Sequence, residues 1–250
     1  MRKLYQREWH GIAFESFTKI SSTKLADSAF YSPFYKVFFK KYKGISNLDP
    51  IWLRHKLQTV EFLKKHSEFK NECRILSIGC GLGIIEKNLI DEGYKNLEIT
   101  EVSKEPLQWL LPYIAPENVH IGFFPGCISA DRSYDFIYLS SVEYFFNQDQ
   151  LIDLLKAVIK HLAPAGTCLM IDCAFESNKS AQQAITGIKD LAKFLLDKTG
   201  FRKRGQFWGY IRNRRDLYQA MVSAGFKQIN DGVFEKKTCG NTYWIEGSKQ

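Results

Sequence analysis

The run Arg74-Ile75-Leu76-Ser77-Ile78 leads directly into Gly79-Cys80-Gly81-Leu82-Gly83, and Ile84 to Ile90 follows as a helix start. A strand, a glycine turn and a helix in that order form a β–α unit whose turn lets backbone approach a nucleotide-like ligand closely. A Cβ at the glycine positions would either meet the ligand or forbid the positive φ the turn needs. An ordinary tight β–α turn can carry the same glycines, so the segments beyond the loop decide what the turn is for.

Leu97 to Ser103 follows as a second short strand ending in an acid, with Ser103 placed to cap a helix from Lys104 to about Ile114. Glu101 lies 18 residues beyond Gly83, the spacing at which a βαβ unit sets a carboxylate beside the ribose hydroxyls of an adenosine. Asn118 to Gly122 is expected as a third strand and Phe136 to Leu139 as a fourth, apolar throughout as a central parallel strand must be. A helix from Asp149 to Leu162 carries Leu151, Leu154, Leu155 and Val158 on one face, with Asn147 as its cap. Thr167 to Ile171 is the fifth strand, ending at Asp172. Two helices are expected after it, Ser180 to Leu196 and Arg214 to Ala224, the second stopped by Gly225. Phe226 to Ile229 and Thr242 to Ile245 can supply a closing antiparallel pair. Alternating strands and helices imply a parallel sheet covered on both faces.

Four motifs carry a resemblance: Gly79-Cys80-Gly81-Leu82-Gly83, Thr100-Glu101-Val102-Ser103, Tyr134-Asp135-Phe136-Ile137-Tyr138-Leu139 and Leu162-Ala163-Pro164-Ala165-Gly166. In this order and at this spacing they resemble the class I S-adenosylmethionine-dependent methyltransferases. The likeness covers about Cys73 to Asp172, with a weaker echo from Leu217 to Phe226. It implies an α/β, Rossmann-like, seven-stranded, mostly parallel sheet with helices on both faces and an N-terminal helical cap. It also implies S-adenosyl-L-methionine as cofactor. The cofactor-binding set it points to is Ser77, Gly79, Cys80, Gly81, Gly83, Glu101, Val102, Phe123, Phe124 and Ser140. Within that set the glycines would seat the methionine end, Glu101 the ribose, and Phe123 or Phe124 the adenine. Two departures stand out. Many members have an acid where Ser77 stands, gripping the methionine amino group. Many also have an acid after the third strand, where this chain has Gly122-Phe123-Phe124-Pro125-Gly126-Cys127.

Methyl transfer from a sulfonium needs alignment and exclusion of water, and a hydroxyl acceptor also needs a base. The family places acceptor-facing groups after the fourth strand, here Ser140-Ser141-Val142-Glu143-Tyr144-Phe145-Phe146. Glu143 and then Tyr144 are the catalytic candidates. The competing reading has Glu143 bonding a backbone amide and Tyr144 packing. His120 and His161 are expected to be structural.

Residues 1–70 are expected to form a helical cap or lid, ahead of a core spanning 71–250 with a substrate-facing insert at about 176–215. Asp49 caps a helix that has Pro50 at its first position. Upstream, Phe30 to Tyr42 holds seven aromatics at helical spacing, fitting a helix buried on two sides or a lid closing over cofactor and acceptor. Rings near a sulfonium gain about 0.5–2 kcal/mol, and Tyr31 and Tyr35 are the acceptor-facing candidates. Lys198, Arg202, Lys203, Arg204, Arg212, Arg214 and Arg215 crowd the late region. Arg202, Arg204, Arg212 and Arg214 are expected to hold a negative group on a small acceptor, with a solvated basic surface as the alternative.

The formal net charge of +8 raises an RNA methyltransferase as a rival reading. The Asn/Asp-Pro-Pro-Tyr loop of base-amino methyltransferases is missing and no Pro-Cys dipeptide offers a nucleophile, so base flipping is disfavoured. A domain that binds the cofactor without transferring methyl is a second rival, and a nicotinamide-dependent oxidoreductase a third. The six cysteines show no C-x-x-C pair and no zinc-like spacing, which fits reduced thiols and no metal. No stretch approaches a membrane span, and the first ten residues lack a signal peptide's apolar core. The expectation is a cytoplasmic enzyme acting on a small, anionic metabolite, with O-methylation favoured over N-methylation.

Overall fold

Ile75, Leu76 and Ile78 divide between two buried faces, and Phe136, Ile137, Tyr138 and Leu139 alternate strictly between them. A strand whose every residue is buried on one side or the other needs helices above and below it. The computed structural model, which describes residues 2–176, 205–237 and 240–249, supplies both. With strands numbered along the chain, β4 (Ile75–Ile78) and β7 (Tyr134–Ser140) pair in parallel at the middle of a seven-stranded sheet. On one side of β4 lie β5 (Leu97–Glu101) and β6 (Val119–Ile121), both parallel to it. On the far side of β7 come β8 (Leu162–Glu176), β11 (Gly240–Ser248) and β10 (Lys227–Lys237), and β11 runs antiparallel to both its neighbours. This is the mostly parallel, Rossmann-like sheet expected from the sequence.

Two helices, α2 (Pro50–Lys64) and α3 (Ile84–Asp91), pack through Val60, Leu63, Ile85 and Leu89 on one face. On the other face α4 (Gln148–His161) and α5 (Arg214–Ala224) pack through Leu151, Leu155, Val158 and Met221. Their ends are set locally. The Asp49 carboxylate accepts from the amides of Ile51 and Trp52, and Asn147 forms a reciprocal capping box with Gln150. Because β4 is flanked by β5 on one side and β7 on the other, the sheet grows in opposite directions from this point. A crevice therefore opens at the carboxyl ends of β4 and β7.

Three expectations need correction. Residues 1–70 are not helical throughout. Arg2–Gln6 forms β1, antiparallel to β9 (Gln206–Ile211), and β2 (Glu8–Trp9) turns back on β3 (Ile12–Ala13) through His10 and Gly11, both at positive φ. The partner of β1 lies two hundred residues away, so local pattern does not reveal it. The helix expected from Lys104 is a 3₁₀ turn, Glu105–Trp109, with no side-chain cap. Pro112 lacks an amide to donate to a continuing helix and disfavours helical backbone at Leu111 just before it. The fifth strand extends from Leu162 to Glu176 rather than from Thr167 to Ile171. The helix expected over 180–196 lies outside the described residues.

The aromatic segment forms α1 (Ser28–Lys41), capped by Asp27 and burying Phe30, Phe34, Tyr35 and Phe38. Trp9 stacks on Phe34 with centroids 5.0 Å apart, and Phe14 stacks on Trp208 of β9 at 5.1 Å. This aromatic cluster ties the N-terminal segment to β9 and roofs the crevice. No helix among the described residues is long and apolar enough to cross a membrane.

Candidate active site

The crevice encloses a cavity of about 760 Å³, within the range that holds a nucleoside-sized ligand. Its floor is the turn between β4 and α3. Gly81 sits at φ +59°, and a Cβ built there would meet nothing within 4 Å, so its bare backbone faces the cavity. Gly83, at φ +69°, serves packing instead, since a Cβ there would lie 2.5 Å from Leu110. Gly79, Cys80 and Gly81 line the cavity and Gly83 stands behind it.

Glu101, at the end of β5, reaches across to this turn. Its Oε2 accepts from the Gly81 amide at 2.8 Å and its Oε1 from the Val102 amide at 2.9 Å. Burial pushes this carboxyl up while the two amides pull it down. Val102 also lines the cavity, and Phe123 stands at it with 71% of its surface exposed. Phe124 turns the other way, its ring 5.3 Å from His161 against the core. Ser140 lines the cavity, and its buried Oγ has no hydrogen-bond partner among the described residues. Ser77 lines it too, but donates its hydroxyl to Glu86 at 2.6 Å.

The loop after β7 folds as a 3₁₀ turn, Glu143–Phe145. Glu143 is 4% exposed and lines the cavity, and its Oε2 has no hydrogen-bond partner among the described residues. Burial raises its carboxyl to about 8; its own backbone and Arg212 pull down, while Asp172 pushes further up. Tyr144 is held against Gly209 of β9, where a Cβ would come within 2.4 Å of the Tyr144 carbonyl oxygen. Burial raises the hydroxyls of Tyr144, Tyr31 and Tyr35, and all three side chains line the cavity. Tyr31 and Tyr35 stack at 6.2 Å, and Tyr31 meets Trp208 edge-on at 5.7 Å.

The arginines divide. Arg212 is 2% exposed and lines the cavity, but its guanidinium donates to the carbonyl of Glu143 at 2.7 Å and to that of Phe146. It pins the catalytic-candidate loop. Arg214 lies off the cavity, paired with Asp231 at 2.9 Å. Arg202 and Arg204 lie outside the described residues. His120 bonds Glu98 at 2.6 Å and His161 meets the Arg132 carbonyl at 2.9 Å, both away from the cavity. Among the described residues no group of three or more metal-ligating side chains gathers.

Sequence reasoning missed Glu86, Lys56, Trp208 and the part played by Asp172, all of which line the cavity. Glu86 had a faint signal: an acid three residues after Gly83, at helical spacing among the apolar positions Ile85 and Leu89.

Residues 51–230 match the family model described as "Methyltransferase domain". Among curated relatives, the chain is 25% identical over 119 residues to the ubiquinone biosynthesis O-methyltransferase of Rickettsia bellii (strain OSU 85-389), covering 46% of this chain and 48% of that protein. It thus spans about half the length of that relative. It is 26% identical over 167 residues to the N-terminal Xaa-Pro-Lys N-methyltransferase 1-B of Xenopus laevis, covering 64% and 74%. Among solved structures, magnesium protoporphyrin IX methyltransferase from Synechocystis PCC 6803 with bound SAH superposes with a TM-score of 0.58 at 13% identity, covering 90% of this chain and all of that one. Human N-acetylserotonin methyltransferase in complex with SAM gives 0.53 at 14%, covering 89% and 56%. At these identities the two structures speak for the fold.

Proposed function

This chain belongs to the methyltransferase domain family, and on that premise we propose that it transfers a methyl group from S-adenosylmethionine to a hydroxyl oxygen of a small metabolite. The observation that carries the reading is the join between the bare Gly81 turn and the Glu101 carboxylate. It supports an adenosyl site with backbone below the ligand and an acid at the ribose hydroxyls. Gly79, Cys80 and Gly81 would line the methionine end, and Phe123 offers a ring to the adenine. The chemistry the cofactor supplies when bound is an activated methyl on a sulfonium, with sulfur departing as a neutral thioether.

The chain's own contribution is alignment, exclusion of water and removal of a proton. Glu143 is the base: its unpartnered Oε2 takes the proton of the acceptor hydroxyl, so that the oxygen lone pair is free to attack. A carboxyl raised to about 8 holds that proton more firmly than an ordinary glutamate. Tyr31, Tyr35, Tyr144 and Trp208 wall the acceptor side with aromatic surface and keep water out. The segment from Arg2 to the end of α1 acts as the cap, while α2 belongs to the sheet-covering layer; of the insert expected at about 176–215, residues 177–204 lie outside the described residues.

A negative group on the acceptor remains part of the proposal. Arg212 is committed to backbone carbonyls, so among the described residues that line the cavity the group would fall to Lys56. The O-methyltransferase name of the Rickettsia relative supports oxygen as the acceptor atom. The test is transfer from methyl-labelled S-adenosylmethionine to a panel of phenols, hydroxy acids and amines, with products read by mass spectrometry. Label on oxygen is expected. Label on nitrogen alone, or on no member of the panel, contradicts the proposal.

A further inference from the structure

Glu86 stands in the first turn of α3 and is 1% exposed. Its two hydrogen-bond donors, the hydroxyls of Ser77 at 2.6 Å and Tyr138 at 2.7 Å, both fall on the same oxygen, Oε1. The other oxygen, Oε2, is buried without a hydrogen-bond partner among the described residues, on a residue that lines the cavity beside Ser77, Gly79 and Gly81. Two hydroxyls on one oxygen fix the carboxyl plane and favour its ionised form, while the second oxygen keeps all its acceptor capacity. A buried carboxylate oxygen without a donor is unfavourable, and a cationic N–H donor makes the strongest partner for it. Burial raises the Glu86 carboxyl, while the Ser77 and Tyr138 hydroxyls and the Lys56 charge pull it down.

We infer that Glu86 is the anchor for the α-ammonium group of the methyl donor, with Ser77 and Tyr138 as the residues that position its carboxylate. The inference rests on the proposed function and deepens it. The amino-acid arm is the part of S-adenosylmethionine that bears an ammonium, and Ser77 has no negative charge to offer it. Because Ser77 and Glu86 touch, the charge that β4 lacks is supplied from α3 at the same end of the cavity. Glu86→Gln is a direct probe: the amide oxygen can still accept from Ser77 and Tyr138, while the unpartnered position loses its charge and becomes an amide NH2, which cannot accept from an ammonium.

The experiment titrates two ligands, S-adenosylhomocysteine and 5′-methylthioadenosine, into the wild type and Glu86→Gln by calorimetry. The second ligand keeps the adenosine but has no amino-acid arm, so it reports whether the variant's pocket is intact. The expected result is a roughly 10- to 100-fold weaker affinity of Glu86→Gln for S-adenosylhomocysteine. Its affinity for 5′-methylthioadenosine should stay within about twofold of the wild type. Equal losses for both ligands, or no loss for either, overturn the assignment of Glu86 alone. A wild type that binds neither ligand overturns the cofactor reading itself, and this assignment with it.

Discussion

Ser141, just beyond β7, and Asp172, within the neighbouring parallel strand β8, have φ of 56° and 57°, and the Ser141 hydroxyl donates to the Asp172 carboxylate at 3.0 Å. His55 Nε2 meets the same carboxylate oxygen at 3.0 Å. Left-handed backbone costs a non-glycine residue about 1–3 kcal/mol, and such strain gathers where a site must be held in one arrangement. Here it holds a second carboxylate beside Glu143, whose carboxyl Asp172 pushes up.

Replacing Asp172 with Asn keeps the shape and the Ser141 contact but removes that charge. The Glu143 carboxyl should then fall below its value of about 8. The rising limb of kcat/KM against pH should move to lower pH in Asp172→Asn. A limb that stays in place would mean that Asp172 does not act on the base.

Glu143 itself links rate to stability with opposite signs. As a base it must be ionised, so methyl transfer should rise with pH through about 8. Glu143→Gln should remove the limb and lower the rate about 10²- to 10⁴-fold. For stability, the folded carboxyl at about 8 lies above its ordinary value of 4.5. The native state therefore binds the extra proton between these values, and stability declines as pH rises through that window. Chemical denaturation from pH 5 to 9 should show this decline in the wild type and a flatter profile in Glu143→Gln.

Two glycines of one turn should fail in different ways. Gly83→Ala drives a methyl into Leu110 and should lower stability by about 2–3 kcal/mol from crowding and strained φ together. Gly81→Ala meets no protein atom and carries only the φ penalty, on the order of 1 kcal/mol. Its methyl projects into space the ligand needs, so cofactor affinity should drop at least about tenfold. Thermal unfolding and S-adenosylhomocysteine binding, measured on both variants, separate the two effects.

Arg212→Met strips the carbonyls of Glu143 and Phe146 of their guanidinium donor and should cost about 2–4 kcal/mol of stability. Turnover should fall alike for anionic and neutral acceptors, since the guanidinium holds the loop rather than the ligand. A rise in KM confined to anionic acceptors would instead return Arg212 to the acceptor-binding role expected from the sequence.

The half of the molecule built around the glycine turn was legible because its determinants lie close together in the chain. The caps at Asp49 and Asn147 act within three residues, and the glycine turn and Glu101 fall within one β–α–β unit, where the Glu101 carboxylate accepts from the Gly81 amide. What was hidden depends on partners distant in the chain. The pairing of Arg2–Gln6 with Gln206–Ile211 leaves no periodic trace in either segment. Arg212 looked like a free cation because the carbonyls that occupy it belong to a loop some seventy residues earlier. Ser77 stands where an acid was expected, and the Glu86 carboxylate meets it only once α3 folds back on β4.

The most direct test of the central claim is a crystal structure with S-adenosylhomocysteine bound. The account requires the adenosine to lie over Gly81, with the Glu101 carboxylate on the ribose hydroxyls. A ligand bound elsewhere, or a Glu101 that makes no contact with the ribose, would contradict it.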